Sequence, residues 1–470
     1  MKMDEIKENF LAIEDKLNLF DRKIKGVYFW EQIRNNVSRN IVKDLGNYNN
    51  PHAEMKKNVK NWTKKLFLSF RNLFVKNPFF SSQKDIIFWG FSRRKLQKNG
   101  KWWDIYCDHI INNLERSYLY LESFYLGNHI NPAETENIAY LDFVHALSNI
   151  LRKILSPIFH FSEEEKKLIK KIEEEFYNFF GIKVNIKYLV KKIILDNKIK
   201  IPLYKLLLKK IKPKLTVVVF INQKTRFIKA CHDLNIPVVH IGGGAITKYN
   251  FNYSKKRKIF PDYLFVFGNF WKDLTEFPID KDRIFSVGHP YLEEEFKKYA
   301  KLEKKNQIIF LSQRPIGIKF SKLAVELSKI IPDCYKIVYK LHPEEFPTWK
   351  KEYPWLLNSP DIRIIEESPC LYELFAESKA EVSVFSTSTY EGLYFGLKSY
   401  VANWPLSQNI FPLIEGGYSE LFSSVEELKE KIVKDGPDFN QSFNRNYFFE
   451  DNSLNKINKK IERIIRKDFY

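Results

Sequence analysis

Short apolar runs closed by polar or glycine-containing loops recur along most of this chain, and stretches with apolar residues three and four apart separate them. Runs of the first kind read as buried strands and stretches of the second as amphipathic helices. Asp85–Gly90 is the first clear strand, and residues 117–125 and 137–143 continue the series. From about 144 to 212 the pattern is helical and charge-laced, too long for an ordinary crossover and read as a helical insertion. Ser162, with Glu165 three residues on, opens one helix there as a capping box. Strand character returns at Thr216–Phe220, Pro237–Ile241, Tyr263–Gly268 and Arg283–Gly288, with a helix at about 223–234. A second series follows at 307–312, 335–341, 362–365, 381–385 and 398–402, with helices at 319–330, 370–378 and 390–396. Ser424 and Glu427 cap a late helix, and a basic helix covers about 453–467. Alternation of this kind predicts parallel sheets with crossover helices.

The predicted organisation is α/β. A basic helical segment covers residues 1–83. A Rossmann-like domain follows over 84–300, with its insertion at about 144–212, and a second one over 301–470 takes in the C-terminal helix, with a cleft between the two. In the first segment Lys56, Lys57, Lys60, Lys64, Lys65, Arg71 and Lys76 interleave with Trp62, Leu66, Phe67, Phe70, Leu73, Phe74, Phe79 and Phe80. A basic helix with an aromatic face fits an anionic membrane surface, through residues 56–80. The same pattern fits a helix docked on the body of the protein with its lysines in water.

Charge narrows the partners. The 470 residues hold 77 Lys and Arg against 57 Asp and Glu, a net charge of +20. That balance favours an acidic partner: nucleic acid, an anionic membrane or a nucleotide-linked substrate. The lysines are spread along the whole chain and no nucleic-acid-binding motif occurs, which sets nucleic acid aside. Cys107, Cys231, Cys334 and Cys370 lie far apart, as expected of thiols in a reducing compartment. An N-terminal apolar signal region and a run of 18 apolar residues are both missing from the sequence. The expectation is a cytoplasmic protein whose membrane contact is peripheral, on the inner face of the cytoplasmic membrane.

The chemistry concentrates at strand ends. Lys340-Leu341-His342-Pro343 closes one strand, and Ser386-Thr387-Ser388-Thr389 closes another and opens a helix that carries Glu391. Lysine, histidine, hydroxyls and a helix N-terminus at one sheet edge suit an anionic phosphate. Pro343 restricts the residue before it and keeps the loop extended. Arg314 ends the first strand of the second series and reads as a phosphate clamp or a surface ion pair. Glu367 lies beyond the 362–365 strand, where it contacts a base or ribose or faces solvent. In the first domain His240, followed by Gly242 and Gly243, is a candidate general base beside a backbone that a substrate can approach. Asp104 is its rival, and Arg93, Arg94 and Lys101 are candidates for holding an anionic acceptor or are plain surface charge. Asp280-Lys281-Asp282 reads as a turn, so no metal site is expected, and no cofactor is expected either.

The His342-Pro343 and Ser386–Thr389 motifs, with two Rossmann-like domains, resemble GT-B glycosyltransferases of bacterial capsule and envelope polysaccharides. The similar groups are the sialyl- and polysialyltransferases, the Kdo transferases and the teichoic acid glycerophosphotransferases, over roughly residues 215–435. The resemblance implies a CMP- or CDP-linked donor held in the second domain through Lys340, His342, the 386–389 hydroxyls and Glu391. It implies a glycan or glycolipid acceptor on the first domain and inverting transfer. A polyol-phosphate transferase, a sugar-nucleotide epimerase or hydrolase on the same fold, and a non-enzymatic basic protein that binds glycan or nucleic acid are the alternatives.

Overall fold

The computed structural model describes residues 3–467, apart from 46–58, 93, 98, 126–127, 245, 248, 368 and 437–443. The described chain forms two compact units. One contains the N-terminal part through Tyr291 together with the segment from Glu450 onward, and the other contains Leu292–Phe449.

The first unit is built on a seven-stranded sheet. Its strands are β1 (Ile86–Trp89), β2 (Tyr118–Glu122), β3 (Ile138–Tyr140), β4 (Leu215–Val219), β5 (Val238–Ile241), β6 (Tyr263–Val266) and β7 (Ile284–Ser286). Their spatial order is β7-β6-β5-β4-β1-β2-β3, with every pair parallel. Every residue of β1, β4 and β5 is buried, as central strands covered on both faces require. The N-terminal helices α1 (Met3–Lys16), α2 (Trp30–Asp44) and α3 (Val59–Arg71) belong to this unit. So do α4 (Asp142–Leu155), α5 (Glu163–Phe180) and α6 (Ile186–Ile211), which make up the expected insertion. The predicted capping box opens α5: Ser162 Oγ accepts from the Glu165 N–H at 3.2 Å, and Glu165 Oε2 accepts from the Ser162 N–H at 2.9 Å. Helix α7 (Thr225–His232) follows β4.

The second unit opens with α8 (Pro290–Tyr299), whose first two residues still belong to the first unit. Its strands are β8 (Gln307–Leu311), β9 (Lys336–Lys340), β10 (Ile362–Ile365), β11 (Ala380–Ser383), β12 (Lys398–Ala402) and β13 (Ser419–Phe422). They lie in the order β10-β9-β8-β11-β12-β13, again all parallel. This is the 3-2-1-4-5-6 order of a Rossmann sheet. Helices α9 (Gly317–Ser328), α10 (Leu371–Glu377), α11 (Ser388–Tyr394) and α12 (Val425–Asp435) connect and cover it. The chain therefore contains two Rossmann-like domains, the fold class expected from its sequence.

One domain assignment changes. The last helix, α13 (Ser453–Arg466), was expected in the second domain but packs in the first unit. Ile457, Ile461 and Ile464, spaced four and three apart, enter one core with Ile86, Phe88, Leu215 and Val217. Arg116 clamps Glu462 with two hydrogen bonds of 2.9 and 2.6 Å. Among the described residues, no helix is long and apolar enough to cross a membrane.

Candidate functional site

In a sheet of this order, ligands sit outside the carboxyl ends of the strands, where the order reverses. In the second unit that point lies between β8 and β11. Leu311 pairs with Lys340 and Phe310 with Val382, so the loops after β8, β9 and β11 leave from one edge. The His342 loop and the Ser386–Ser388 loop flank the end of β8. They start about 10 Å apart, two interstrand spacings.

A buried carboxyl fixes the shape of this edge. Glu345 Oε1 accepts from Ser312 Oγ at 2.8 Å and from Tyr353 Oη at 2.9 Å, and Oε2 accepts from the His342 backbone N–H at 2.7 Å. Burial raises the Glu345 carboxyl above its usual range, and the three donors pull it back. Gly317 makes room for the arrangement, because a Cβ there would collide with Tyr353 Oη and Glu345 Oε1. The loops after β8 and β9 are thus locked together from beneath. Glu345 stands out in the sequence only as the third residue after His342.

His342 is half-buried, and its Nδ1 accepts the Glu344 backbone N–H at 3.3 Å. The neutral ring then carries its proton on Nε2, a donor suited to a phosphate oxygen. Pro343 is exposed. Ser386, Thr387 and Ser388 are half-buried, and Ser386 Oγ accepts from the Ser388 N–H at 3.2 Å. Glu391 is half-buried in the first turn of α11, and Glu367 is exposed beyond β10. Beneath α11 lies Glu381, fully buried in β11 and packed against Gly392. Burial pushes its carboxyl well above the usual range.

Three expected donor-binding residues have other work here. Lys340 Nζ donates to the Glu366 carbonyl and lies 5.5 Å from the centre of the Phe346 ring, tying the β9 and β10 loops together. Arg314 pairs with Glu352 Oε1 at 2.7 Å and also donates to Thr348 Oγ1, so the ion-pair reading replaces the phosphate clamp. Thr389 is buried and donates to Ser383 Oγ at 2.8 Å, facing the core instead of the loop.

The first unit corrects more. His240 lies inside β5 and is 1% exposed, with Nδ1 3.1 Å from the Val218 carbonyl and Nε2 3.2 Å from Tyr253 Oη. Burial lowers it to about 4, so it serves the core and not as a solvent-reachable base. Asp104 is also fully buried. It accepts from the Phe91 and Tyr106 backbone N–H groups, both at 2.9 Å, and from Tyr120 Oη at 2.6 Å. Arg94 is enclosed with Glu122 at 2.8 Å, Asp108 at 3.3 Å and Thr135 at 3.0 Å, which removes it from any acceptor surface. Lys101 is exposed and pairs with Glu134 at 3.2 Å, and Arg93 lies outside the described residues.

The switch point of the first sheet, between β1 and β4, is closed by a residue the sequence reading passed over. Lys224 Nζ donates to the carbonyls of Trp89 at 2.6 Å, Gly90 at 2.9 Å and Val219. Burial pushes its ammonium down to about 7, with Cys107 and Asp104 nearby favouring the charged form. Phe220, just after β4, has φ +57°, which a bulky residue adopts only under strain. Its ring lies over Gly243, where a Cβ would stand 2.6 Å from ring carbon Cζ. Gly242 donates its N–H to the Phe265 carbonyl at 2.9 Å.

No protein-family model matches this chain, and a search of curated proteins finds no match. Among solved structures it is similar to the UDP-GlcNAc 2-epimerase of Methanocaldococcus jannaschii, at 14% identity and a TM-score of 0.47, covering 81% of this chain and 99% of that one. It is similar to the UDP-GlcNAc 2-epimerase of Neisseria meningitidis bound to UDP-GlcNAc, at 13% identity and 0.49, with the same coverage. A third is the spinosyn rhamnosyltransferase SpnG, at 11% identity and 0.41, covering 81% of this chain and 96% of that one. The likeness is one of fold alone.

Proposed function

We propose that the protein is an enzyme of nucleotide-sugar chemistry: a glycosyltransferase that moves a sugar, with inversion, from a nucleotide-activated donor to an envelope or capsule glycan. The observation that carries this reading is that the His342 loop and the 386–388 hydroxyls flank the end of β8 at the switch point of the second sheet, with the His342 loop held from below by Glu345. Donors fixed before the reaction stabilise the negative charge that grows on the departing nucleotide without having to reorganise. In this reading His342 Nε2–H and the hydroxyls of Ser386, Thr387 and Ser388 face the phosphates, and Lys340 and Arg314 hold the loops that present them.

The test is a thermal-shift screen of CMP, CDP, UDP and GDP and their sugar derivatives. Stabilisation by one base, lost in His342→Ala at an unchanged melting temperature of the bare protein, is the expected result. A chain that no nucleotide stabilises does not fit the proposal. Selectivity for cytidine would support the branch with CMP- or CDP-linked donors.

One observation favours a second reading. The residues expected to serve an acceptor, His240, Asp104 and Arg94, are buried and paired within the first unit. An epimerase or hydrolase of nucleotide sugars has no acceptor to bind. Incubation with a nucleotide sugar alone separates the two, because only the epimerase or hydrolase gives efficient turnover without a glycan.

A further inference from the structure

The described part of α3, with the neighbouring α4, departs from the usual arrangement of an amphipathic helix. A helix docked on a protein body buries its apolar stripe. Among the described residues of α3 the one buried side chain is polar, Ser69, and Asn72 is buried just after the helix. Asn72 Nδ2 donates to the carbonyls of Val75 and Lys76, both at 3.1 Å, and its Oδ1 accepts the Phe143 N–H at 3.0 Å. The aromatic side faces out: Phe67, Phe70 and Phe74 are 64%, 65% and 71% exposed. Helix α4, which packs against α3, buries Val144 and Ser148 and turns Ile150 and Ile154 outward, with Ile158 following. Single exposed apolar side chains are ordinary, but a set on two adjoining helices marks an interaction surface.

Charge selects the partner. The sequence holds no Asp or Glu from Met55 through Lys84, or from Phe143 through Ser162. Lys64, Arg71, Lys76 and Lys153 are exposed among the apolar residues. A second copy would bring the same acid-free, cationic face against this one, and like charges would oppose the contact. A surface that is apolar below and anionic at its boundary satisfies both sets of side chains. We propose that the α3–α4 face docks on an anionic lipid bilayer. The helices lie in the plane of the interface, with the phenylalanine and isoleucine side chains among the acyl chains and the cations at the headgroups. The proposal is independent of the nucleotide site, so either can fail alone.

Co-sedimentation of the full chain with phosphatidylcholine vesicles, with and without phosphatidylglycerol, tests it. Partition should rise roughly tenfold or more when phosphatidylglycerol is present and should weaken with salt. The triple variant Phe70→Ser, Phe74→Ser, Ile154→Ser should lose binding to both vesicles. Its melting temperature should stay unchanged, since all three side chains are exposed. Lys64→Glu with Arg71→Glu should lower the anionic partition at least about tenfold while leaving the weak binding to neutral vesicles in place. Equal binding to the two vesicle types, full binding by the triple variant, or no vesicle binding would overturn the proposal. So would a dimer that the triple variant dissociates, which would make the face a contact between copies.

Discussion

Glu345 gathers donors from Ser312, Tyr353 and the His342 backbone into one buried carboxylate, and the loop that presents the His342 ring depends on it. Glu345→Ala leaves buried donors without an acceptor and should cost about 3 kcal/mol in a denaturation experiment. It should also abolish nucleotide-induced stabilisation. Gly243→Ala drives a methyl group into the Phe220 ring and should cost about 1–3 kcal/mol. Adding Phe220→Ala to that variant should recover most of the loss, a coupling that a double-mutant cycle reads directly. His240 adds a pH dependence. Its folded value of about 4 lies below the ordinary histidine value of 6.5, so the unfolded chain binds the proton more readily. The stability it contributes is complete above pH 6.5 and falls as the pH drops toward 4, by about 2 kcal/mol at pH 5. Burial, with His109 nearby, lowers His289 to about 3, and it acts in the same direction. Denaturation curves at pH 7.5 and pH 5 should show this loss, and His240→Gln should reduce it.

Elements set by local pattern were legible in the sequence, and side-chain destinations were not. All strands of the first sheet, five of the six in the second and the helices between them follow from apolar runs and from spacings of three and four. The capping box at Ser162 and Glu165 was legible because all its atoms lie within four residues. Ser162→Ala should cost about 1 kcal/mol, measurable by denaturation. Strand β13 was missed because Ser419–Phe422 is short and half polar. At the candidate site the loop positions were readable, since each follows an apolar run. The partners of Lys340, Arg314 and Arg94 were not readable, because Glu366, Glu352 and Glu122 lie on other elements and no spacing rule links them. Lys224 was hidden for the same reason: its acceptors are carbonyls, which any residue would supply. The stripe on α3 was visible in the sequence, but which way it faced was not. Periodicity marks one face as apolar without saying whether protein, water or lipid lies against it.

For the whole molecule, the two units make separable predictions. A nucleotide held by the second unit should slow hydrogen exchange in the loops after β8, β9 and β11 and leave the first sheet unaffected. Ile461→Ala opens a cavity in the first core and should cost about 2–5 kcal/mol of that unit's stability. The loops after β8, β9 and β11, proposed to bind nucleotide, should keep their protection in the same experiment.

The place of α13 has a consequence for biosynthesis. The ribosome completes β1 and β4 long before it reaches Ile457, and all of Leu292–Phe449 is made in between. At translation rates of about 5–20 residues per second, one face of the first sheet lacks the part of its cover that α13 supplies for on the order of ten to thirty seconds. During that interval the nascent chain presents Ile86, Phe88 and Val217 without the helix that shields them, so it is a natural client for a chaperone. A fragment ending at Tyr291 would lack that helix permanently and should aggregate.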